Sequence, residues 1–390
     1  MQVFFGIDTL LQNPPPWKHE PIGLLTNHAA TTYDGMPSRE VLLKHGFGIQ
    51  ILFSPEHGLD VQGADGAKML DGKDWLTGLP VKSLYNQSFA PDLKDIRSVE
   101  RIIFDVPDVG ARFYTYLWSL TYLLEACASA GKPLIVLDRP NPISGKFELV
   151  EGPILQESVA SFIGRWPIPI RHSCTLGELA IYFNKKYAIG ADLEVIPCAG
   201  WDRNQFQPDW GSPFVATSPA IQQFEAMLLY PGLCFLEATN ISEGRGTDFP
   251  FQQFGAPWMD GTVVSKTLYQ LFVDEVSYEP VHFIPAAGKL AGQTCQGIRC
   301  TLNDPNHFQP VYWGLLLLKV IKDLYPEHFS WNTYPTLANP TGNFHLNKLL
   351  GIEGSQQLFQ QPMSQFLVSI SQLTKVNDWE KEMQNYILYN

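Results

Sequence analysis

Short, almost wholly apolar runs alternate with longer amphipathic segments through the first half of the chain. The runs are rich in β-branched residues and end at Pro, Gly or polar residues, which is typical of buried strands. We predict strands over 22–26, 49–53, 79–85, 102–106, 133–137 and 192–198, and helices over 38–45, 117–130 and 175–187. Because strands that are apolar on both sides alternate with helices, the pattern predicts an α/β protein with a parallel sheet covered by helices on both faces.

The pattern changes beyond about residue 250. A predicted strand over 294–302 and predicted helices over 263–274 and 311–324 stand among Pro-rich and aromatic loops, and 363–388 indicates one or two terminal helices. A length of 390 residues exceeds the roughly 250–300 at which single cores usually stop growing. We therefore predict two domains, a larger one of residues 1–240 and a smaller α+β auxiliary domain of residues 241–390.

Polar side chains gather where the predicted strands end. The strand over 102–106 is the most prominent case, because Pro107 ends it and a polar stretch follows directly. The strand-end candidates are Asn27, His28, Glu56, His57, Asp108, Arg112, Tyr114, Tyr116, Asp138 and Arg139. In a parallel sheet the carboxyl ends of the strands lie along one edge, so we expect these side chains to share one crevice and to bind a ligand there.

Two later segments add polar candidates. A Pro-rich loop ends in Arg171 and His172, and the loop over 237–247 carries Glu237, Glu243 and Arg245 among flexible glycines. Two carboxylates and an arginine in one loop suggest a ligand contact. A tight turn with a surface ion pair is the alternative that the residues leave open.

The composition narrows the function classes. A formal net charge of -12 argues against nucleic acid or an anionic membrane as the main partner, because either requires a basic face. No apolar run approaches the roughly 20 residues of a membrane span. No signal peptide is visible, so we expect a cytoplasmic protein, or a periplasmic or secreted one if a leader was removed. The six cysteines form no Cys-x-x-Cys pair, which favours buried reduced thiols.

Several sequence motifs are absent. There is no Gly-x-Gly-x-x-Gly after the first strand, no Gly-x-Ser-x-Gly and no His-Glu-x-x-His, so we expect neither a dinucleotide site nor any other cofactor. His28, His57 and His172 have no informative metal spacing, and neutral hydrogen-bonded histidines are the commoner case. A metal-dependent hydrolase that uses His28, His57 and Asp108 is kept as an alternative.

Taken together, these residues give the chain a resemblance to a bacterial family typified by exo-β-N-acetylmuramidase (NamZ). The matching stretches include 23–28 (GLLTNH), 53–58 (FSPEHG), 108–116 (DVGARFYTY), 137–142 (LDRPNP), 167–172 (PIPIRH) and 237–247 (EATNISEGRGT). The resemblance implies a Rossmann-like domain with a smaller auxiliary domain and no nucleotide cofactor. It also implies release of a terminal N-acetylmuramic acid from the non-reducing end of peptidoglycan fragments. Pro107 and Ala29-Ala30 depart from the family pattern, in which Gln and Thr-Gly are usual.

Glycoside cleavage needs a proton donor and a second anionic group at the sugar ring. We expect Glu56 to be the proton donor, because a partly desolvated carboxyl at a strand end acquires a raised pKa. Asp108 and Glu243 are the candidates for the second carboxylate. That group acts either on the ring directly or by orienting the 2-acetamido group in substrate-assisted cleavage, and the residues leave both routes open.

N-acetylmuramic acid carries a lactyl carboxylate, which calls for a cation that binds it. Arg112, Arg171 and Arg245 are the candidates for that contact. The rest of the expected substrate-binding set is Asn27, His28, His57, Tyr114, Tyr116, Asp138, Arg139 and His172. A protein that binds an amino sugar without turnover is a second alternative, because sheets of this type often host binding alone.

Overall fold

The structure is a computed structural model that describes residues 2–86, 88–271 and 275–390. Its strands are β1 (Ile22–Thr26), β2 (Ile49–Ser54), β3 (Gly72–Lys73), β4 (Pro80–Ser83), β5 (Arg101–Asp105), β6 (Leu134–Leu137), β7 (Leu193–Ile196), β8 (Gln253–Ala256), β9 (Val276–Phe283) and β10 (Cys295–Leu302). Its helices are α1 (Gly6–Gln12), α2 (Ser38–Lys44), α3 (Leu93–Arg97), α4 (Tyr116–Ala130), α5 (Leu176–Lys186), α6 (Phe224–Leu233), α7 (Gly261–Tyr269), α8 (Pro310–Leu324), α9 (His345–Leu350), α10 (Ser355–Leu358), α11 (Met363–Thr374) and α12 (Trp379–Met383).

The larger sheet has seven strands in the order β3-β4-β2-β1-β5-β6-β7. Neighbouring strands are parallel except for β3, which runs antiparallel to β4. The central strand β1 pairs Leu24 with Leu52 of β2 on one side and with Ile103 of β5 on the other. The strand order reverses at β1, so the carboxyl ends of β1, β2 and β5 form the edge where open α/β sheets bind ligands.

Both faces of this sheet are covered by helices. Leu24 packs in one apolar cluster with residues of α1 and α2, whereas the adjacent Leu25 packs in a second cluster with residues of α3, α4 and α5. All five residues of β1 are buried, as expected for a central strand between two helical layers. This arrangement confirms the predicted fold class.

The smaller sheet is antiparallel, in the order β8-β10-β9. It is joined to the larger sheet through α6 and α8, whose backbones nearly touch: a Cβ placed on Gly314 would lie 2.4 Å from the Cα of Gly232. The second apolar cluster continues through both helices. The division of the chain at residue 240 stays a prediction.

Several elements differ from the sequence prediction. The apolar stretch over 227–236, which we assigned to no element because Pro231 interrupts it, forms most of α6 and a following 3-10 helix, with Pro231 inside α6. Burial on all sides of α6 removes the amphipathic period that would identify a helix. Strands β3, β8 and β9 and helices α1, α3, α9 and α10 were not predicted. The predicted helix over 263–274 corresponds to α7, and residues 272–274 lie outside the described part of the chain.

All six cysteines are buried and free, as expected for reduced thiols. Over the described ranges, no helix is both long enough and apolar enough to cross a membrane.

Candidate active site

Glu56 lies just beyond the carboxyl end of β2, after Ser54 and Pro55. Its side chain is buried, and each carboxyl oxygen accepts one hydrogen bond. The backbone N–H of Gly66 donates to Oε1 at 2.9 Å, and the Thr115 hydroxyl donates to Oε2 at 2.7 Å. Burial, followed by the nearby charge of Asp65, raises the pKa of Glu56 above its usual 4.5, although His57 and the two donors oppose the change. The result is a fixed carboxyl that holds a proton more tightly than a solvated glutamate.

His57 follows Glu56 in an unusual backbone conformation. Its φ is 66°, in the left-handed region that non-glycine residues rarely adopt. The ring Nδ1 lies 2.9 Å from the carbonyl oxygen of Gly63, so Nδ1 carries the proton and Nε2 is the acceptor when the ring is neutral. The turn therefore fixes both the direction and the tautomer of this ring beside Glu56.

Arg245 lies among three carboxylates. Its guanidinium is 2.8 Å from Glu237, 3.2 Å from Asp65 and 3.2 Å from Glu243. Lys289 forms a further ion pair with Glu243 at 2.9 Å, and the Tyr334 hydroxyl donates to Asp65 at 2.7 Å. This network ties the loop after β2 to the C-terminal part of the chain.

Glu237 is the carboxyl of this network that contacts α9. Burial by itself raises its pKa, but the hydrogen bond with His345 and the charge of Arg245 outweigh burial and lower the pKa to about 2. The Nε2 atom of His345 lies 3.0 Å from Glu237, and the His345 ring stacks on Tyr334 with centroids 4.6 Å apart. Helix α9 is thereby attached to the residues that follow α6.

A pocket enclosing about 670 Å³ of atom-free space, part of it open to solvent, joins these groups. The first part of the chain contributes mainly Glu56, His57, Asp65, Tyr85, Phe113, Tyr114, Thr115, Ser161, Ile163, Ser218 and Ile221. The later part contributes Tyr230, Cys234, Glu237, Arg245, Phe251, Tyr334, Thr336, Ala338, Asn339, His345, Lys348 and Leu349. Residues from both halves of the chain therefore line the pocket, and its wall contains acidic, cationic and aromatic side chains.

We expected the strand-end residues to share one crevice, and this prediction is wrong. Those that line a pocket are divided between two pockets. Asp108 and Arg139 line a second pocket of about 460 Å³ at the carboxyl ends of β1, β5 and β6. Thr217 lines the second pocket and Ser218 lines the first, so this segment runs between them. The Tyr116 hydroxyl holds that segment by donating to the Thr217 carbonyl at 2.6 Å.

Arg112 and Arg171 lie outside both pockets. Arg112 is fully buried and donates to the carbonyl oxygens of Pro153, Ile168 and Leu349 at 2.6, 2.8 and 3.0 Å. Arg171 is equally buried and donates to two carbonyl oxygens, at 2.6 and 3.1 Å. Burial lowers the pKa of Arg112 to about 9 and that of Arg171 to about 10. The Nη atoms of both guanidinium groups donate to backbone carbonyl oxygens, and neither side chain lines either of the two pockets.

Three further expected residues are held in internal contacts away from the first pocket. Asp138 accepts hydrogen bonds from Thr175, Gly177 and Tyr389, and burial raises its pKa to about 6. His172 is fully buried, with Nε2 3.4 Å from Asp108. Asn27 is buried and accepts a bond from the N–H of Ala29.

The last of the expected residues also lie apart from the first pocket. His28 is exposed, with Nδ1 3.5 Å from Arg39. Glu243 forms an ion pair with Arg245 and is not among the residues that line the first pocket. Of the expected set, the first pocket thus brings together Glu56, His57, Tyr114 and Arg245.

Some of the same residues could also hold a metal ion. Within the described ranges, the group that could hold a metal ion is Glu56, His57 and Asp65, whose ligand atoms all lie within 4.8 Å of one another. This group does not include His28 or Asp108, so the triad considered from the sequence is not assembled.

The sequence reasoning missed several pocket residues, including Asp65, Tyr85, Tyr334, His345 and Lys348. Asp65 lies in a loop rich in Gly and Asp, where no strand end or motif marks it. His345, Lys348 and Leu349 share one side of α9 by their i, i+3, i+4 spacing, and this spacing is the only sequence signal that could have grouped them.

Comparison with known proteins identifies the class to which this fold and site belong. Residues 22–225 match the N-terminal domain, and residues 228–389 the C-terminal domain, of exo-β-N-acetylmuramidase NamZ. The chain therefore belongs to the NamZ family.

Individual relatives agree with this assignment. The chain is 39% identical over 340 residues to the peptidoglycan β-N-acetylmuramidase NamZ of Bacillus subtilis strain 168, covering 87% of this chain and 82% of that protein. Two crystal structures of DUF1343 family proteins from Bacteroides fragilis are similar over 100% of this chain and 99% of each of theirs, with TM-scores of 0.87 and 0.74 and 26% identity in both cases.

Proposed function

We propose that this protein is an exo-acting β-N-acetylmuramidase that releases terminal N-acetylmuramic acid from the non-reducing end of peptidoglycan fragments. The observation that carries the proposal is Glu56, a buried carboxyl with a raised pKa in a polar pocket of a chain from the NamZ family. Substrates are muramyl saccharides derived from peptidoglycan.

Glu56 acts as the general acid in this proposal. A glycosidic oxygen leaves readily only when it is protonated as the bond breaks, which requires a donor that is still protonated near neutral pH. Burial and Asp65 favour the protonated form of Glu56. The donors Gly66 and Thr115 fix both oxygens, so little reorganisation is needed when the proton moves.

Asp65 is our candidate for the second carboxylate, in place of Asp108 and Glu243. Asp108 lines the second pocket, and Glu243 is not among the residues that line the first pocket. Asp65 instead shares the first pocket with Glu56, and the two carboxyl groups offer oxygens within 4.8 Å of each other. Oxygens this close leave less room between the two groups for an attacking water molecule than inverting glycosidases need, whose carboxyl groups are about 6.5–9.5 Å apart, so the pair fits a retaining arrangement better.

The close spacing supports net retention at the anomeric carbon. Asp65 would then either attack that carbon or stabilise the 2-acetamido group as it attacks. Proton NMR of the first sugar released should show the β anomer before mutarotation sets in. An initial α anomer would contradict this role of Asp65 and would leave the role of Glu56 in place.

The activity test compares the 4-nitrophenyl β-glycosides of N-acetylmuramic acid and N-acetylglucosamine. Wild-type protein should release nitrophenol from the muramide with a higher kcat/KM than from the glucosaminide. Glu56→Gln keeps the size of the side chain but removes the proton, so kcat on a natural disaccharide should fall by about 10²–10⁴. The loss on the nitrophenyl muramide should be smaller, because nitrophenolate leaves with little protonation.

Glu194→Gln provides the matched control, because Glu194 is an exposed residue of β7 and not part of the pocket wall. Its activity should equal that of the wild type. If Glu56→Gln retained near-normal turnover of the disaccharide, Glu56 would not be the acid. If the wild type released neither chromogenic sugar, the proposed function itself would fail.

A further inference from the structure

The cations expected to bind an acidic sugar are already engaged. Arg112 and Arg171 donate to buried carbonyl oxygens, and Arg245 is surrounded by Glu237, Asp65 and Glu243. A guanidinium whose charge is balanced by three carboxylates offers little attraction to a fourth. The carboxylate of a muramic acid ring therefore requires another cation on the pocket wall.

Lys348 is a cation that fits this requirement. It lies on α9, lines the first pocket and is half-buried. Among the residues that the structure describes, its ammonium has no ion-pair partner, and burial, with no opposing carboxylate, lowers the pKa of Lys348 below its usual 10.5. An ammonium group that is partly desolvated without a counter-charge gains more from an anionic ligand than a solvated lysine does.

The helix that carries Lys348 is fixed on both sides of it. His345 bonds to Glu237 at 3.0 Å, and the carbonyl oxygen of Leu349 accepts a bond from Arg112 at 3.0 Å. Arg112 thus positions the helix that carries the binding cation. A side chain on an anchored helix loses less entropy on binding than one on a free loop.

We propose that the ammonium of Lys348 binds the lactyl carboxylate of the terminal muramic acid residue and so selects it over the corresponding glucosamine. This proposal rests on the proposed function, and it identifies the side chain that recognises the substrate of that function. With Glu56 protonated, the charged aspartate, glutamate, lysine and arginine side chains of the pocket wall are Asp65, Glu237, Arg245 and Lys348. Asp65 and Glu237 both pair with Arg245, so Lys348 is the cation of this set that is free to contact an anionic substrate.

The test pairs changes in the protein with changes in the ligand. Lys348→Met removes the charge and keeps the length of the side chain, and Lys348→Arg keeps the charge. The ligands are N-acetylmuramic acid and the same sugar with its lactyl carboxylate converted to a primary amide, both as 4-nitrophenyl β-glycosides and as free sugars. The readouts are kcat and KM for the glycosides, and calorimetric Kd for the free sugars.

For the wild type we expect the acid to be preferred over the amide by about 10- to 100-fold in kcat/KM and in Kd, the range of a charge-assisted hydrogen bond. Lys348→Met should lose this preference, chiefly through KM, and should treat the amide as the wild type does. Lys348→Arg should restore a large part of the preference. Lys266→Met changes an exposed lysine of α7 outside the pocket wall and should behave as wild type.

Two negative results separate the two proposals. If Lys348→Met kept the acid-over-amide preference of the wild type, the assignment of Lys348 would be overturned and the glycosidase proposal would stand. If no sample released nitrophenol while binding of the free acid still depended on Lys348, the glycosidase proposal would fail and the assignment of Lys348 would stand. A general loss of stability in Lys348→Met would weaken binding of acid and amide alike, so it cannot imitate the predicted result.

Discussion

Replacing Arg245 should destabilise the fold by an amount that depends on pH. Arg245→Met removes the shared partner of Glu237, Asp65 and Glu243, whose ion-pair distances are 2.8, 3.2 and 3.2 Å. Glu237 and Glu243 are almost fully buried, so the variant leaves two enclosed negative charges with weaker compensation. Breaking a buried ion pair by removing one partner typically costs about 3–5 kcal/mol.

The pKa of Glu237 gives a separate measure of the same effect. In the folded protein its pKa is about 2, against 4.5 for an ordinary glutamate. At about 1.4 kcal/mol per pH unit, this difference corresponds to about 3 kcal/mol of stability, shared between Arg245 and His345. Because the folded-state pKa is lowered, this stabilisation is fully present above pH 4.5 and is lost as the pH falls towards about 2.

The assay is equilibrium unfolding in urea, followed by circular dichroism at several values between pH 7 and about pH 3. We expect Arg245→Met to lose about 3–5 kcal/mol at pH 7, and the difference from wild type to narrow as the carboxylates become protonated. Lys82→Met is the control, since the pair of Lys82 with Asp71 at 2.8 Å is exposed and should contribute no more than about 1 kcal/mol. A cost below about 1 kcal/mol at pH 7, or one that does not change with pH, would refute the reasoning.

Three further predictions follow from the same structure. Because burial raises the pKa of Glu56 and the acid must be protonated, kcat should decline as the pH rises through that pKa, and a kcat that increased steadily with pH would exclude Glu56 as the donor. Gly66→Ala should lower both Tm and kcat, since its φ is +64° and a Cβ would lie 2.6 Å from Thr336, displacing the N–H that donates to Glu56; an unchanged kcat would show that this bond is dispensable. Gly314→Ala should cost about 1–3 kcal/mol by separating α6 from α8, whereas Gly72→Ala, with open space around it, should cost less, and equal effects in urea unfolding would contradict the packing argument.

The positions of the sheet strands and of Glu56, the proposed proton donor, could be predicted from the sequence for a clear physical reason. Strands of a parallel sheet are short runs that are apolar on both sides. The predicted strands over 22–26, 49–53 and 102–106 therefore agree with the observed bounds to within one residue at each end. Glu56 follows one of these strands directly. Its position in the fold was therefore determined by local sequence, and its burial follows from that position.

Other site residues depend on contacts that no local pattern records. Arg112 and Arg245 have the same chemistry, yet one binds backbone carbonyl oxygens and the other binds carboxylates. Asp65 and Lys348 lie far apart along the chain and reach the pocket only when the loop after β2 meets α9. The two-pocket arrangement likewise depends on the segment around Thr217, whose position is set by tertiary contacts with Tyr116.

The composition of the pocket wall also has a consequence for biosynthesis. Glu56, the proposed proton donor, is made early, whereas Tyr334, His345 and Lys348 are made only near the end of translation. The parallel sheet can assemble during translation, since domains generally fold as they emerge. A chain that ends before α9 would lack His345 and Lys348 from the pocket wall, so we expect it to be inactive on peptidoglycan fragments even if its sheet has formed.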